Sequence, residues 1–258
     1  MALVPTMGAL HEGHLSLIEK ARMHAELVVA SVFVNPTQFG PGEDLDRYPR
    51  DDEGDERKLA QAGVSVLFRP PVHEMYPAGF QTEVRMRTAS LGLCGARRPG
   101  HFEGVATVVL KLLMIVRPDV AVFGEKDYQQ LVVIRSLVTD LNLDTRILAA
   151  ETVREVDGLA RSSRNAYLSG EERQQALSLS RGLWAARDLY AEGERVGSTL
   201  VACCRAELEQ AGVEAEYIEL RHAETLAPLD EAHEPAVLLV AARIGSTRLI
   251  DNLILSRP

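Results

Sequence analysis

Two histidines, His11 and His14, lie three residues apart in the segment PTMGALHEGH, which follows a short apolar run. At the start of a helix this spacing lets both imidazole rings face the same side. Gly8 and Gly13 carry no side chains, so a phosphate group can approach the backbone N–H groups of the segment. Imidazole N–H groups can donate to phosphate oxygens as charge builds in a transition state. The segment therefore predicts phosphate binding with electrostatic catalysis.

The histidine pair has two alternative interpretations. A bare pair at this spacing is more often a helix cap and a surface residue, but the two glycines and the position after a strand favour the phosphate site. A zinc site is the weaker competitor, because the metalloprotease pattern places its histidines four residues apart, with an intervening Glu, in one continuous helix.

Two further polar segments also follow runs that predict strands. Gln38, in FVNPTQFG, can donate and accept at once, as binding a substrate with hydroxyl and carboxylate groups requires. Lys126, in FGEKDYQQ, is a natural cation for nucleotide phosphates, and Asp127 can hold a ribose hydroxyl or cap the helix. Gln130 lies one helical turn beyond Lys126 and can share its face. Taken singly, each segment is also compatible with a structural turn or helix start.

A hydroxyl-rich basic segment, DGLARSSRN, lies later in the chain. Ser162 to Arg164 offer two hydroxyl donors and a guanidinium fork, which suit a triphosphate. A flexible linker is the alternative. His101, before another predicted helix, is a candidate for the same site, whereas Arg97 and Arg98 are equally consistent with a solvated patch.

The elements that must position these residues alternate in type over the first part of the chain. Nearly continuous apolar runs predict strands buried on both faces of a parallel sheet, and the segments between them have helical periodicity or composition. The predicted strands are Ala2–Val4, Leu27–Val34, Val64–Phe68, Asp119–Phe123 and Arg146–Ala149. Because ligands bind at the carboxyl ends of such strands, the polar segments lie where a site is expected.

The second part of the chain has a different order of elements. A long helical region rich in Ala and Glu precedes three strand-like runs without helices between them, which indicates an antiparallel sheet. The predicted fold class is α/β: a Rossmann-like, doubly wound parallel sheet with a smaller C-terminal α+β domain. We predict a domain boundary near residue 152, with the polar segments up to Asp127 in a first domain over residues 1–152 and a smaller second domain over residues 153–258.

Bulk properties exclude several functional classes. The formal net charge of −9 gives no general attraction to nucleic acid or to anionic lipid. The three cysteines have no CxxC spacing, so thiols in a reducing compartment are expected. The sequence shows neither a signal-peptide pattern nor an apolar stretch long enough to cross a bilayer, so we predict a cytoplasmic protein with no nucleic-acid or membrane partner.

Taken together, PTMGALHEGH, FVNPTQF, HFEGVATVV, FGEKDYQQL and DGLARSSRN closely resemble the pantothenate synthetases, a family of the HxGH nucleotidyltransferase superfamily, in order and spacing. The resemblance covers essentially the whole chain, and it implies that residues 1–152 form a nucleotide- and pantoate-binding domain and residues 153–258 a smaller lid domain. It implies His14 as the catalytic proton donor, Gln38 and Gln130 as pantoate ligands, and Gln38 as the β-alanine ligand. Asn35, Tyr48 and His101 are further implied contacts. The implied ATP-binding residues are Met7, Gly8, Ala9, Leu10, His11, Glu12, Gly13, His14, Gly124, Glu125, Lys126, Asp127, Val153, Arg161, Ser162, Ser163 and Arg164.

The resemblance also implies the reaction. The carboxylate of pantoate attacks the α-phosphorus of Mg²⁺-bound ATP, pyrophosphate leaves, and β-alanine then displaces AMP from pantoyl adenylate. A homodimer is a further implication. Arg161 stands where many members of the family have Met or Leu, so it adds a phosphate contact or alters the adenine pocket. No residue is assigned as a metal ligand, because the acidic run Asp51 to Asp55 is better interpreted as a solvated helix start than as a Mg²⁺ site.

Three other functions compete with the ligase. The HxGH signature is shared with aminoacyl-tRNA synthetases, but the charge, the small size and the lack of an anticodon-binding module oppose a nucleic-acid-linked activity. A catalytically silent nucleotide-binding protein would not need every polar group of the site. A nucleotidyltransferase that stops at the adenylylated product would not need the pair Gln38 and Gln130.

Overall fold

The computed structural model describes residues 1–256. Contacts between Cα atoms divide the chain into two compact units. The first comprises Met1–Glu125 and Gln129–Val153, and the second comprises Lys126–Tyr128 and the chain from Arg154 onward. Among residues 1–256, no helix combines the length and the apolar character that a membrane span needs.

The first unit contains a five-stranded parallel sheet with the strand order β3-β2-β1-β4-β5. The inner strands are buried along almost their whole length, which explains their continuous apolar sequence. The strands are β1 (Ala2–Thr6), β2 (Val28–Val32), β3 (Val66–Phe68), β4 (Val120–Gly124) and β5 (Arg146–Ala150).

Helices connect these parallel strands. They are α1 (Glu12–Arg22), α2 (Asp52–Gln61), α3 (Val72–Met75), α4 (Leu93–Arg97), α5 (His101–Val116) and α6 (Tyr128–Asp140). The apolar run Val105–Val116 predicts a helix that begins at Val105, whereas α5 begins four residues earlier, at His101. The left-handed backbone of Gly100, with φ of 81°, turns the chain so that His101 to Glu103 form the first turn.

The second unit packs two helices against an antiparallel sheet with the strand order β6-β7-β8. Ser169 and Glu172 form a reciprocal capping box that starts the first of these helices. Its elements are α7 (Gly170–Ala191), α8 (Gly197–Gln210), β6 (Ala215–His222), β7 (Ala236–Ile244) and β8 (Thr247–Ser256). The predicted fold class is therefore confirmed.

Candidate functional site

The point where the chain reverses its direction of travel across the parallel sheet lies between β1 and β4. From β1 the chain goes outward to β2 and β3, and it then returns to the other side of β1 to form β4 and β5. Open α/β sheets bind ligands outside the carboxyl ends of the strands at such a switch point. The segment Met7–His14 follows β1 directly and therefore begins at this position.

The first half of that segment is a loop with an unusual backbone. Gly8 and Ala9 both have positive φ angles, 85° and 50°. The Thr6 hydroxyl donates to the backbone oxygen of Ser31 at 2.7 Å and accepts from the Gly8 N–H at 3.3 Å. Two consecutive left-handed residues are costly for Ala9, which has a Cβ, so the surrounding hydrogen bonds must hold this conformation.

The second half of the segment starts helix α1, and the two histidines form its capping box. His11 is the N-cap residue, and its Nδ1 accepts from the Gly13 N–H at 3.2 Å. His14 is the third helical residue, and its Nδ1 accepts from the His11 N–H at 3.3 Å. The ring centroids lie 4.2 Å apart.

These contacts determine the tautomer of each neutral ring. A backbone N–H can only donate, so each Nδ1 must be the unprotonated nitrogen, and the proton of the neutral imidazole is on Nε2. His11 and His14 therefore each present an Nε2–H donor at the start of a helix, where the helix dipole also favours an anion. This arrangement can donate to phosphate oxygens.

Gln38 ends a short 3₁₀ helix, Pro36–Gln38, that follows β2. It is buried, and its Oε1 accepts from the Asn35 Nδ2 at 3.1 Å, which fixes the orientation of the amide. The Tyr76 hydroxyl donates to the Asn35 Oδ1 at 2.8 Å and supports this orientation. The Gln38 Nε2 donates to the Met7 Sδ at 3.1 Å. Because a thioether is a weak acceptor, a substrate carboxylate or hydroxyl can take over this N–H group at little cost.

Arg98 holds the backbone of Gln38 in place. It donates to the Gln38 backbone oxygen at 3.2 Å and to both carboxylate oxygens of Glu43, the closer at 2.6 Å, while His101 Nδ1 lies 2.9 Å from the same backbone oxygen. Arg98 is only 15% exposed, so its interpretation as part of a solvated patch is wrong. Burial alone would raise the pKa of Glu43, but the hydrogen bonds and charge of Arg98 outweigh it and hold that pKa below its usual value.

The neighbouring residues Gln129 and Gln130 have different environments. Gln129 is buried; its Oε1 accepts from the Cys94 N–H at 3.0 Å, and its Nε2 donates to the backbone oxygens of Ala89 and Leu91. Gln130, the predicted pantoate ligand, is partly exposed. The structure therefore gives the first glutamine a structural role that the sequence pattern did not reveal.

The remaining predicted ATP contacts of the first unit lie at the ends of two strands. Gly124 ends β4, Glu125 follows it and is buried, and Val153 lies three residues beyond β5 with partial exposure.

In the second unit, a hydrogen bond to its backbone oxygen fixes the position of Lys126. The Asn252 Nδ2 of β8 donates to the Lys126 backbone oxygen at 2.9 Å. The Lys126 Nζ lies 3.9 Å from the Asp127 carboxylate, and the side chains of Lys126 and Asp127 are 20% and 49% exposed. An ion pair this long and this exposed contributes little, so the ammonium group can turn to another anion.

The segment Arg161–Arg164 belongs to a second cluster of the same unit. The Ser162 hydroxyl caps a short 3₁₀ helix, Ser163–Tyr167, by accepting from the Arg164 N–H at 3.3 Å. The Arg161 guanidinium lies 3.9 Å from the Glu155 carboxylate. The side chain of Arg161 thus lies within ion-pair distance of an acid of its own unit.

The Glu155 carboxylate accepts hydrogen bonds from more than one side chain. Arg173 donates to it at 2.5 Å and to Asp157 at 2.6 Å, and the Asn165 Nδ2 donates to it at 2.9 Å. Burial would raise the pKa of Glu155, but the hydrogen bonds from Arg173 and Asn165 and the charges of Arg173 and Arg161 outweigh it and lower that pKa. This network fixes the base of the segment that carries Ser162 to Arg164.

Residues 1–256 contain no group of three or more His, Cys, Asp or Glu side chains placed to bind a metal ion. Within the acidic run, Asp51 caps α2 and Asp52 is exposed, but Asp55 is only 2% exposed. Its oxygens accept from the N–H groups of Ala9 and Leu10 at 2.8 and 2.7 Å. The interpretation of the run as a solvated helix start is therefore wrong for Asp55.

Comparisons with known proteins agree over nearly the whole chain. The family model described as pantoate-beta-alanine ligase matches residues 1–254. The chain is 62% identical over 256 residues to the pantothenate synthetase of Myxococcus xanthus, covering 98% of this chain and 88% of that protein. A crystal structure of pantothenate synthetase from Thermus thermophilus is 49% identical, with a TM-score of 0.96, over 99% of this chain and 93% of that chain. The pantoate-beta-alanine ligase of Francisella tularensis, in complex with beta-gamma ATP and beta-alanine, is 36% identical with a TM-score of 0.80 over 98% and 89% of the two chains.

Proposed function

The chain belongs to the pantoate–β-alanine ligase family, and from this premise we propose how its residues carry out the reaction. The activity is the ATP-dependent condensation of pantoate with β-alanine to pantothenate, through pantoyl adenylate, with release of AMP and pyrophosphate. The observation that carries this conclusion is the family match over residues 1–254, which includes every polar segment described above.

In the first step an oxygen of the pantoate carboxylate attacks the α-phosphorus of ATP. The bond from that phosphorus to the bridging oxygen of the β-phosphate breaks, and pyrophosphate leaves. Because little covalent chemistry falls to the protein, alignment and charge neutralisation dominate catalysis. We propose that His14 donates from its Nε2–H to the transferring group, and that Met7 to Gly13 bind the nucleotide.

In the second step the amine of β-alanine attacks the acyl carbon of pantoyl adenylate. The bond from this carbon to the phosphate oxygen breaks, AMP leaves, and the amine loses a proton. Gln38 would bind pantoate and then β-alanine through the N–H group that donates to Met7 in the structure. Gln130 would be a further pantoate ligand.

The other ATP contacts are proposed from the same family pattern. Lys126 supplies a cation whose backbone Asn252 holds in place. The remaining proposed ATP-binding residues are Gly124, Glu125, Asp127, Val153 and Arg161 to Arg164.

Mg²⁺ is proposed to enter with ATP. This ion prefers to keep several waters and to bind substrate phosphates with one or two carboxylates, so a dedicated cage of side chains is unnecessary. When bound, Mg²⁺ would neutralise charge on the phosphates. We also propose a cytoplasmic homodimer.

The test is the release of AMP and pyrophosphate from Mg²⁺ and ATP, with pantoate, in the presence and absence of β-alanine. Pyrophosphate should require pantoate, and pantothenate should form in equal amount with AMP. In His14→Ala, kcat should fall about 10²- to 10³-fold, the usual effect of removing a transition-state donor. His24→Ala removes an exposed histidine just beyond the same helix and should leave kcat unchanged. Folded protein that forms no pantoate-dependent pyrophosphate would refute the ligase.

A further inference from the structure

Helix α2 contacts the nucleotide-binding loop at three backbone groups. The Asp55 carboxylate accepts from the consecutive N–H groups of Ala9 and Leu10, one with each oxygen, at 2.8 and 2.7 Å. One turn later, the Lys58 ammonium donates to the Leu10 backbone oxygen at 2.8 Å. All three groups belong to the loop whose φ angles are positive at Gly8 and Ala9.

The two side chains also stabilise each other. The Lys58 Nζ lies 4.0 Å from the Asp55 Oδ1 and 3.7 Å from the Asp51 carboxylate. A buried carboxylate is costly unless donors surround it, and here two amides and a nearby ammonium supply them. The charge of Asp55 is therefore satisfied in this conformation of the loop.

The backbone of Gly8 packs closely against this carboxylate. A Cβ placed on Gly8 would lie 2.9 Å from the Asp55 Oδ2 and 3.1 Å from the Val32 side chain. Gly8 thus satisfies two requirements at once, the positive φ angle and the absence of a side chain next to Asp55.

We propose that Asp55 and Lys58 are positioning residues of the adenylation reaction: from α2 they hold Ala9 and Leu10 in the conformation that aims the next residues, His11 to His14, at the phosphates of ATP. The proposal rests on the proposed role of Met7 to His14 in binding ATP. It assigns no contact between Asp55 and any ligand, because both of its oxygens are used by the loop.

The decisive substitution is Asp55→Asn, which keeps the shape of the side chain but replaces one acceptor oxygen by an NH₂ group facing a backbone N–H. ATP affinity, measured by calorimetry without pantoate, should fall at least about 5-fold, and the KM for ATP should rise similarly while the KM for β-alanine changes less than about 2-fold. Lys58→Met should have a smaller effect in the same direction, and Lys58→Arg, which retains a donor, should restore most of the affinity.

Two control variants separate alignment from stability. Leu59→Val weakens the packing of α2 in the core but keeps the hydrogen bonds of Asp55 and Lys58 to the loop, so it should lower the midpoint of thermal unfolding and leave ATP affinity unchanged. Asp52→Asn removes an exposed charge of the same helix and should change neither quantity. If Asp55→Asn behaves like Leu59→Val, with lower stability and wild-type ATP affinity, the positioning role is overturned.

A spectroscopic readout does not depend on activity. In an NMR spectrum of the deuterated wild-type protein, the amide protons of Ala9 and Leu10 should resonate downfield, because they donate to a carboxylate. Both resonances should move upfield in Asp55→Asn but not in Asp52→Asn. Unmoved amides would overturn the proposal. Wild-type protein that binds ATP but forms no pantoyl adenylate would refute the ligase while leaving this test of the loop intact.

Discussion

The contact between α5 and the segment that carries Gln38 leads to a sharp prediction for Gly104→Ala. A Cβ on Gly104 would lie 2.4 Å from the Thr37 backbone oxygen and 2.7 Å from the Gln38 Cα. Atoms of this kind essentially never come closer than 3.0 Å, so the helix and the 3₁₀ helix must separate by roughly 0.6 Å. Both sides of the contact are backbone, so no side-chain rotation can relieve it.

Two opposing free-energy changes determine the outcome. Replacing Gly by Ala inside a helix stabilises it by about 0.5–1 kcal/mol, because the unfolded chain loses freedom. Overpacking a rigid contact destabilises by about 1–3 kcal/mol. We expect overpacking to win, with a net loss of about 1–2 kcal/mol, which corresponds to a fall of about 2–8 °C in the unfolding midpoint for a chain of this size.

The same displacement should impair substrate binding. The Gly104 backbone oxygen accepts from the Asn35 Nδ2, the group that also orients the Gln38 amide, so separation disturbs both. A misplacement of about 1 Å costs on the order of 10²-fold in rate, so a shift of several tenths of an ångström should raise the KM for pantoate roughly 3- to 10-fold.

Thermal unfolding followed by circular dichroism and steady-state kinetics at varied pantoate would measure both effects. Gly170→Ala is the matched control, since Gly170 also lies in a helix but has no atom within 4 Å of the added Cβ. It should leave the pantoate KM unchanged and should not lower the midpoint, since the gain of up to about 1 kcal/mol from Ala meets no steric opposition there. Wild-type values of both quantities in Gly104→Ala would refute the reasoning from steric contact.

Two further predictions concern the same region. The pKa of Glu43 is lower in the folded than in the unfolded protein. The ionised carboxylate therefore stabilises the fold fully above the unfolded pKa, about 4.3, and this stabilisation is lost as the pH falls through the folded pKa. Glu43→Gln should therefore be less stable than wild type at pH 7, and acid titrations of the unfolding midpoint should show the two proteins converging below about pH 4; parallel curves would contradict the assignment. Gln129→Ala should lower the free energy of unfolding by about 1–3 kcal/mol, because it removes the buried amide that bonds the Cys94 N–H and the backbone oxygens of Ala89 and Leu91, and it should not raise the pantoate KM. Gln130→Ala should raise the pantoate KM and leave the free energy of unfolding unchanged. Urea unfolding and pantoate kinetics would be measured on both variants. A raised pantoate KM in Gln129→Ala, or a loss of stability in Gln130→Ala, would contradict these roles.

The fold could be predicted because its signals are local. Strands buried on both faces must be apolar throughout, as Val28 to Val32 nearly are, and the change from alternating elements to consecutive strands indicates the second sheet. The position of the polar segments after the strands then follows from the geometry of a parallel sheet. The apolar periodicity places the start of α5 too late, because the first turn, His101 to Glu103, lies outside it.

The roles of Asp55 and Arg98 could not be predicted from composition, because an acidic run and a basic pair are usually solvated. One signal did exist for Asp55: it lies four residues before Leu59, a core residue, and therefore on the same face of α2. For Arg98 no comparable signal exists, since its partner Glu43 lies in a loop 55 residues earlier. Such pairings depend on the tertiary fold alone.

The spacing of the histidine pair has a physical cause that the structure reveals. A capping box joins the N-cap residue to the third helical residue, which requires the two partners to be three residues apart. His11 and His14 occupy these two positions, and each uses Nδ1 to accept a backbone N–H. Asp would cap the helix as well, but its carboxylate only accepts, whereas an imidazole has a second nitrogen that remains a donor after the cap is formed. A spacing of four would remove the bond from the His11 N–H to the His14 ring, so the same three-residue interval that starts the helix also fixes Nε2 as the protonated nitrogen of the neutral His14 ring.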